Sequence, residues 1–294
     1  GGFHRYAVDE RWQIPHFEKM LYSQALMVMA YSDFYKVNNR EKYKVIVYQT
    51  LNFSMQEMRS RQGGFYTSLD ADSERMKKFS GSSNSGPGEH SEGAYYLWHE
   101  SELKDVLSKA EFDFIKKYYY IEEEGNIYSD PRSEFIGLNI LSVDEDYRDK
   151  TLSPAEKRLL SSSREKLNKA RRLRKGPHLD DKVLTAWNAM MVAAMAKASV
   201  VFDEQKFLVE AIGTARFILE FSFDRKNRKL YRQYRAGEAS IDATLTDYAW
   251  LVYSLLEIYE ASKDKQWLLM AQELQRDLDT LFLDKKSGAY FDSS

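Results

Sequence analysis

Two histidines stand among charged neighbours early in the sequence: His4 precedes Arg5, and His16 lies two residues before Glu18 in the run Pro15-His16-Phe17-Glu18-Lys19. An imidazole beside a charged partner can take or give a proton near neutral pH, the requirement for general acid–base work. Carboxylates recur in Asp70-Ala71-Asp72-Ser73-Glu74 and in Glu89-His90-Ser91-Glu92-Gly93, and paired carboxylates are what glycoside chemistry needs. Two more acidic runs, Asp180-Asp181-Lys182 and Asp242-Ala243-Thr244-Leu245-Thr246-Asp247-Tyr248, precede long apolar stretches, where Asp and Thr also serve as plain helix caps. His4, His16, Asp70, Asp72, Glu92, Asp180 and Asp181 are therefore the expected proton-handling residues. Trp98, Trp187 and Tyr248 offer flat apolar faces of the kind on which sugar rings dock; Arg5, Glu18, Lys19, Asn188 and Asp247 are the polar groups expected to hold the substrate with them. The plainer reading of each is a packed aromatic, a satisfied core histidine or a cap. No histidine pair at i, i+4 or comparable ligand spacing occurs, so neither a metal nor another cofactor is expected.

Bulk composition narrows the classes. With 43 Lys and Arg against 45 Asp and Glu, no general electrostatic reason exists to expect nucleic acid or an anionic membrane surface, and a small, weakly charged ligand fits better. The basic stretch Arg164, Lys166, Arg171, Arg172, Arg174 and Lys175 reads as a solvated helix face rather than a phosphate-binding strip. Absence of cysteine excludes disulfides, thiolate zinc sites and a Cys-x-x-Cys redox centre within these residues. No window reaches the ~18 consecutive apolar residues of a membrane span, since Met190 to Val201 is interrupted by Lys197, and a soluble, cytoplasmic protein is expected. The opening Gly1-Gly2-Phe3-His4-Arg5-Tyr6 has neither a basic nor an apolar leader region and reads as an internal cut.

The elements that must position these residues are helical. Phe17 to Tyr35 is apolar nearly all round, the pattern of a helix enclosed by protein, and the next segment places Tyr43, Ile46, Val47, Thr50, Leu51 and Met58 on one stripe. Gly63-Gly64-Phe65-Tyr66 then closes the pair with a turn and a short extended piece. The same order returns at Leu184 to Val201, Phe207 to Phe221 and Lys229-Leu230-Tyr231, and again at Leu245 to Ala261, Trp267 to Leu281 and Gly288-Ala289-Tyr290. From the first Leu to the last Tyr the three units span about 45, 47 and 45 residues, a helical-repeat period. An alternation of enclosed and half-wetted helices predicts an all-α, α/α toroid in two concentric layers, whose inner helices present their starts, with the acidic runs, at one mouth. An open solenoid is the rival. Between the first two units, 67–150 reads as an insertion with a mobile polar loop at 80–92, short helices at Glu100 to Ser108 and Glu111 to Tyr119, and after it a helix opened by the capping box Ser153-Pro154-Ala155-Glu156.

Several blocks carry a resemblance: Gly1-Gly2-Phe3-His4-Arg5-Tyr6, Val8-Asp9-Glu10-Arg11-Trp12, Pro15-His16-Phe17-Glu18-Lys19-Met20-Leu21-Tyr22, Gly64-Phe65-Tyr66 with Asp70-Ala71-Asp72-Ser73, Glu92-Gly93-Ala94-Tyr95-Tyr96-Leu97-Trp98, and Asp180-Asp181-Lys182-Val183-Leu184-Thr185-Ala186-Trp187-Asn188. In this order they resemble the thioredoxin-domain-containing family related to spermatogenesis-associated protein 20. That resemblance implies a fold like that of N-acylglucosamine 2-epimerases and six-hairpin glycosidases, an incomplete ring here, and a thioredoxin-like domain upstream, outside these residues, as partner. Ser23 stands where the family usually has Asp, and Ala189 where Gly is common; the first removes a carboxylate from the expected mouth. The implied function is a carbohydrate-active domain, a sugar isomerase or epimerase acting by proton transfer; the alternatives are a non-catalytic scaffold for the thioredoxin-like domain and a glycoside hydrolase or lyase.

Overall fold

The computed structural model describes residues 1–74, 90–128 and 135–293. Its helices are α1 (Leu21–Asn38), α2 (Glu41–Phe53), α3 (Glu100–Val106), α4 (Lys109–Tyr118), α5 (Glu145–Arg148), α6 (Pro154–Arg171), α7 (Thr185–Phe202), α8 (Gln205–Phe221), α9 (Leu245–Ser262) and α10 (Lys265–Phe282). Strands are short: β1 (Tyr6–Ala7), β2 (Pro15–His16), β3 (Lys19–Met20), β4 (Ser68–Leu69), β5 (Asp72–Glu74), β6 (His90–Glu92), β7 (Leu179–Asp180), β8 (Val183–Leu184), β9 (Phe223–Asp224), β10 (Lys229–Arg235) and β11 (Glu238–Asp242). Two compact units emerge, one of residues 1–3, 19–69 and 179–294, the other of 4–18 and 70–178.

In the first unit α1, α7 and α9 lie side by side with α7 in the middle, and each is backed by the helix that follows it, α2, α8 and α10. The sequence explains the layering. From Thr185 to Ser199 almost every residue of α7 is buried, small alanines letting the neighbours approach closely, whereas α10 buries only the stripe Trp267, Ala271, Leu274, Leu278 and Phe282. Leu281, the last residue of the segment expected from sequence, is 43% exposed, because the fourth step of the helical phase falls on Phe282. Each outer helix ends in a short antiparallel pairing: Arg59 with Phe65, β9 with β10, and Leu283 with Tyr290. The three inner helices all stop at a left-handed non-glycine residue, Asn39, Asp203 and Lys263, with φ of 50°, 49° and 58°. The repeat is thus real down to its caps. One expectation needs correcting: α1 is not enclosed on every side, since Phe34 and Val37 are 49% and 84% exposed, α7 covering only one of its flanks.

Strands lead into the inner helices. β3, β4 and β7 form one sheet ahead of α1, and β8 joins β10 and β11 ahead of α7. Asn188, wholly buried in the first turn of α7, accepts a hydrogen bond from Phe65 N at 2.7 Å and donates to Phe65 O and Leu184 O, both at 3.0 Å, which fixes the glycine-aromatic turn onto the helix.

The second unit packs α3 and α4 against α6 around Leu103, Phe112, Ile115, Leu160 and Leu167. Glu111 is buried there, taking Ser108 N at 2.8 Å, Ser162 Oγ at 2.6 Å and Lys166 Nζ at 2.7 Å, so one carboxylate caps α4 and holds α6. Arg174 departs from the solvated basic face expected of it. It is buried, its guanidinium 3.9 Å from the centre of the Trp98 ring and donating to Glu102 and to the carbonyls of Ala94, Tyr95 and Leu97. The segment read as an insertion shares this unit with 4–18 and with 151–178. Most of the loop expected at 80–92 lies outside the described residues, and 90–92 form β6.

Candidate functional site

The best-assembled polar constellation lies in the second unit, around His16. Asp9 folds the turn between β1 and β2 by accepting from Gln13 N at 2.9 Å, Ile14 N at 2.7 Å and Arg11 N at 3.1 Å. The resulting register sets Tyr6 opposite His16, and the two rings stack with centroids 4.8 Å apart. From the other side comes the β5–β6 hairpin, with Asp72 directly opposite Glu92. Its end turns at Gly93, whose φ of +74° and missing side chain are both required: a Cβ there would sit 2.5 Å from the Phe17 ring.

Glu92 Oε1 meets His16 Nδ1 at 2.7 Å and also accepts from Phe17 N at 3.2 Å. An ionised carboxylate only accepts, so Nδ1 carries the proton and Nε2 is the nitrogen left for exchange. Glu18 Oε2 stands 3.7 Å from that Nε2, beyond hydrogen-bond reach, and is held by Arg5 Nη1 at 3.0 Å. At the carbonyl of Phe17 itself, His4 Nδ1 donates to the oxygen at 3.0 Å, and the His4 ring sits edge-on to Phe17 and Tyr96. The His16 side chain is 22% exposed and that of Glu92 30%, so the pair is shielded without being sealed. An oriented imidazole backed by one carboxylate and approached by a second can accept, hold and return a proton.

The other expected site residues divide. In the second unit, Asp70 and Asp72 are exposed beside the hairpin, while Trp98 is buried under Arg174 as core. In the first unit, Asp180 belongs to β7 and pairs with Lys182 at 3.0 Å, and Asp181 pairs with Arg235 at 2.7 Å. Neither caps a helix: α7 begins four residues after Asp181, at Thr185, and α1 begins at Leu21, not at Phe17, because strand pairing claims the residues between. Only the third acidic start is a cap, with Thr244 and Asp247 forming a capping box; Asp242 pairs with Lys229 instead. Asp247, wholly buried, also accepts from Ala186 N at 3.0 Å, and Tyr248 accepts from Leu230 N at 3.1 Å, so both hold strands and helices together. Lys19 is buried with Nζ 2.9 Å from Gly1 O and 4.7 Å from the Phe53 ring centre, and Asn188 is committed to backbone as above. Trp187 alone of the tryptophan candidates is half-buried, edge-on to Tyr22 at 4.8 Å. Tyr6 is the member of the constellation that reading by residue type overlooks; only the β1–β2 register reveals it.

No family model matches the chain. It is 35% identical to spermatogenesis-associated protein 20 of Homo sapiens over 99% of its own length and 39% of that protein. It is 34% identical to an uncharacterized protein of Caenorhabditis elegans, over 96% of its length and 40% of that one. The chain thus spans well under half the length of the curated relatives it matches. Among solved structures, cellobiose 2-epimerase from Bacillus thermoamylovorans superposes with a TM-score of 0.56 at 14% identity, over 98% of this chain and 51% of that one. At that identity the likeness is one of fold, and it places the chain in the α/α-toroid class of helical hairpins.

Proposed function

This chain is a homologue of spermatogenesis-associated protein 20, and we propose that it acts on a sugar by proton transfer, as an isomerase or epimerase, with His16 as base. The carrying observation is the 2.7 Å contact between His16 Nδ1 and Glu92, which fixes the tautomer and leaves Nε2 as the exchanging nitrogen. In this reading Nε2 takes the proton on the carbon next to a sugar carbonyl, and the electron pair moves into the carbonyl to give an enediolate. Glu92 steadies the imidazolium so formed, and the proton returns from Nε2 for isomerisation or from a second acid, His4, on the opposite face for epimerisation. Glu18, tied to Arg5, holds the substrate hydroxyls. A fold shared with a sugar epimerase supports the carbohydrate class, and a cytoplasmic setting belongs to the same reading. The thioredoxin-like domain implied by the resemblance belongs to this proposal as partner.

A panel of aldoses and cellobiose incubated with the full-length protein in D2O tests it by NMR. Loss of the C2 proton signal is expected, slowed by about 10²-fold or more in His16→Asn and in Glu92→Gln. No exchange with any sugar, or an unchanged rate in His16→Asn, sinks the reading. One observation favours hydrolysis as a second reading: Asp72 and Glu92 face each other across the hairpin, two carboxylates on one face. Release of the aglycone from aryl glycosides, abolished by Asp72→Asn, is its mark.

A further inference from the structure

A second polar constellation lies in the first unit, on the side of the inner helices left exposed among the described residues. On α1 the exposed positions Leu26, Ala30, Asp33 and Val37 follow one stripe, and on α9 so do Thr246, Ala249, Tyr253, Leu256 and Glu260. Between them α7 brings Trp187 against Tyr22 and, further along, Lys197 against α1. Lys197 Nζ lies 3.0 and 2.9 Å from the two oxygens of Asp33; the Lys197 side chain is 17% exposed and that of Asp33 54%. Tyr253, on the other flank, has Glu257 one turn on, and burial, the hydrogen bond it gives Glu257 and the charges of Glu257 and Asp33 hold its phenol above the ordinary tyrosine range. It stays a hydroxyl donor at neutral pH.

An ion pair as exposed as Asp33–Lys197 adds little stability, at most about 1 kcal/mol, so stability alone does not explain its place on this face. Its chemistry suits a particular ligand. Carboxylates that accept, an ammonium and a phenol that donate, and aromatic rings further along the same helices match vicinal hydroxyls and the C–H faces of sugar rings. The group Asp33, Lys197 and Glu257 carries one net negative charge, which disfavours anionic ligands. Trp187 and Lys197 are ten residues apart on α7, about 15 Å along the axis, which is longer than one ring.

We propose that the exposed face of α1, α7 and α9 binds a neutral oligosaccharide of two or more rings, with Trp187 and Tyr22 stacking on one ring and Asp33, Lys197, Tyr253 and Glu257 hydrogen-bonding the hydroxyls of another. The inference shares the carbohydrate class with the proposed function but not its chemistry, so binding is measured, not turnover. Titration calorimetry of the full-length protein with cellobiose, cellotriose and glucose is expected to show the oligosaccharides binding at least tenfold more tightly than glucose. Trp187→Ala and Lys197→Met should each weaken cellotriose at least tenfold, Tyr253→Phe about threefold, and Lys197→Arg should restore most of the loss. Should Trp187→Ala fail to fold, Lys197→Met carries the test, since its pair is open to solvent and its melting temperature should stay near that of the parent. Undiminished affinity in Lys197→Met and Tyr253→Phe, or no heat with any of the three sugars, overturns the proposal. The exchange assay on His16 is scored separately and can succeed or fail on its own.

Discussion

Asn188 has both amide hydrogens and its carbonyl engaged by the backbone of Phe65 and Leu184, with no part of the side chain in water. Replacing it by Ala strands the buried N–H and carbonyl of Phe65, so Asn188→Ala should lose about 2–4 kcal/mol of stability in urea unfolding. A loss below about 1 kcal/mol would mean that water enters and satisfies those groups. The residue stands in a run shared with the related family, and from sequence it reads as a substrate ligand; burial alone reassigns it. The same distinction governs the other candidates. Residue type identified His16 and Glu92 as groups able to move a proton, yet 76 positions separate them, and only the close passage of Gly93 over Phe17 brings them into contact. A pairing that depends on a glycine's φ and on strand register leaves no local mark in the chain. Asp247 was legible as a polar group and Tyr248 as an aromatic face at a helix start, but neither as the tie it proves to be, because their partners lie on distant elements.

Helices were the most legible elements, since period and amphipathicity are local. α10 was readable to within a residue of its buried stripe, and the capping box of α6 formed as its spacing implies, Ser153 Oγ accepting from Glu156 N at 3.3 Å. Helix starts were less legible: two-residue strands at β3 and β8 displace α1 and α7 from the acidic runs, and pairing with β4 and β10 is not inscribed in either segment. Contacts between elements carry a pH signature as well. Glu111 joins α4 to α6, and the hydrogen bond from Lys166, then those from Ser162 and Ser108, lower its carboxyl to about 2. A carboxyl depressed on folding stabilises fully above its unfolded value and loses that contribution as pH falls through the folded one. Glu111→Gln should therefore be less stable than the parent at neutral pH, with the gap closing as pH drops from about 5 toward 2. Urea unfolding of both proteins across that range checks it; a constant gap would show that packing, and not charge, is what Glu111 supplies.

At the scale of the whole chain, the repeat and the segment that interrupts it at 67–150 were visible in sequence, and the part that 4–18 plays in the second unit was not. Residues 4–18 leave the first unit and join the second between two segments that stay behind, an exchange that no composition shift announces. The central helix α7 poses a question that only this scale answers. Thr185–Phe202 has the length and a mean hydropathy of 1.2 that would let it cross a bilayer, yet 72% of it is buried inside protein. Insertion would strip it from α1, α8 and α9 together and carry Asn188 and Lys197 into hydrocarbon, a cost of several kcal/mol for the cation alone on insertion scales. Its apolar composition therefore serves the helical layer. Vesicles of neutral and of anionic lipid floated through a density gradient should leave this chain at the bottom, at low and at physiological salt alike, because 43 cationic against 45 anionic side chains give no electrostatic attraction to replace burial. Flotation with neutral vesicles would show that α7 leaves its layer, and flotation with anionic vesicles only, lost at high salt, would locate a basic surface that the net charge conceals.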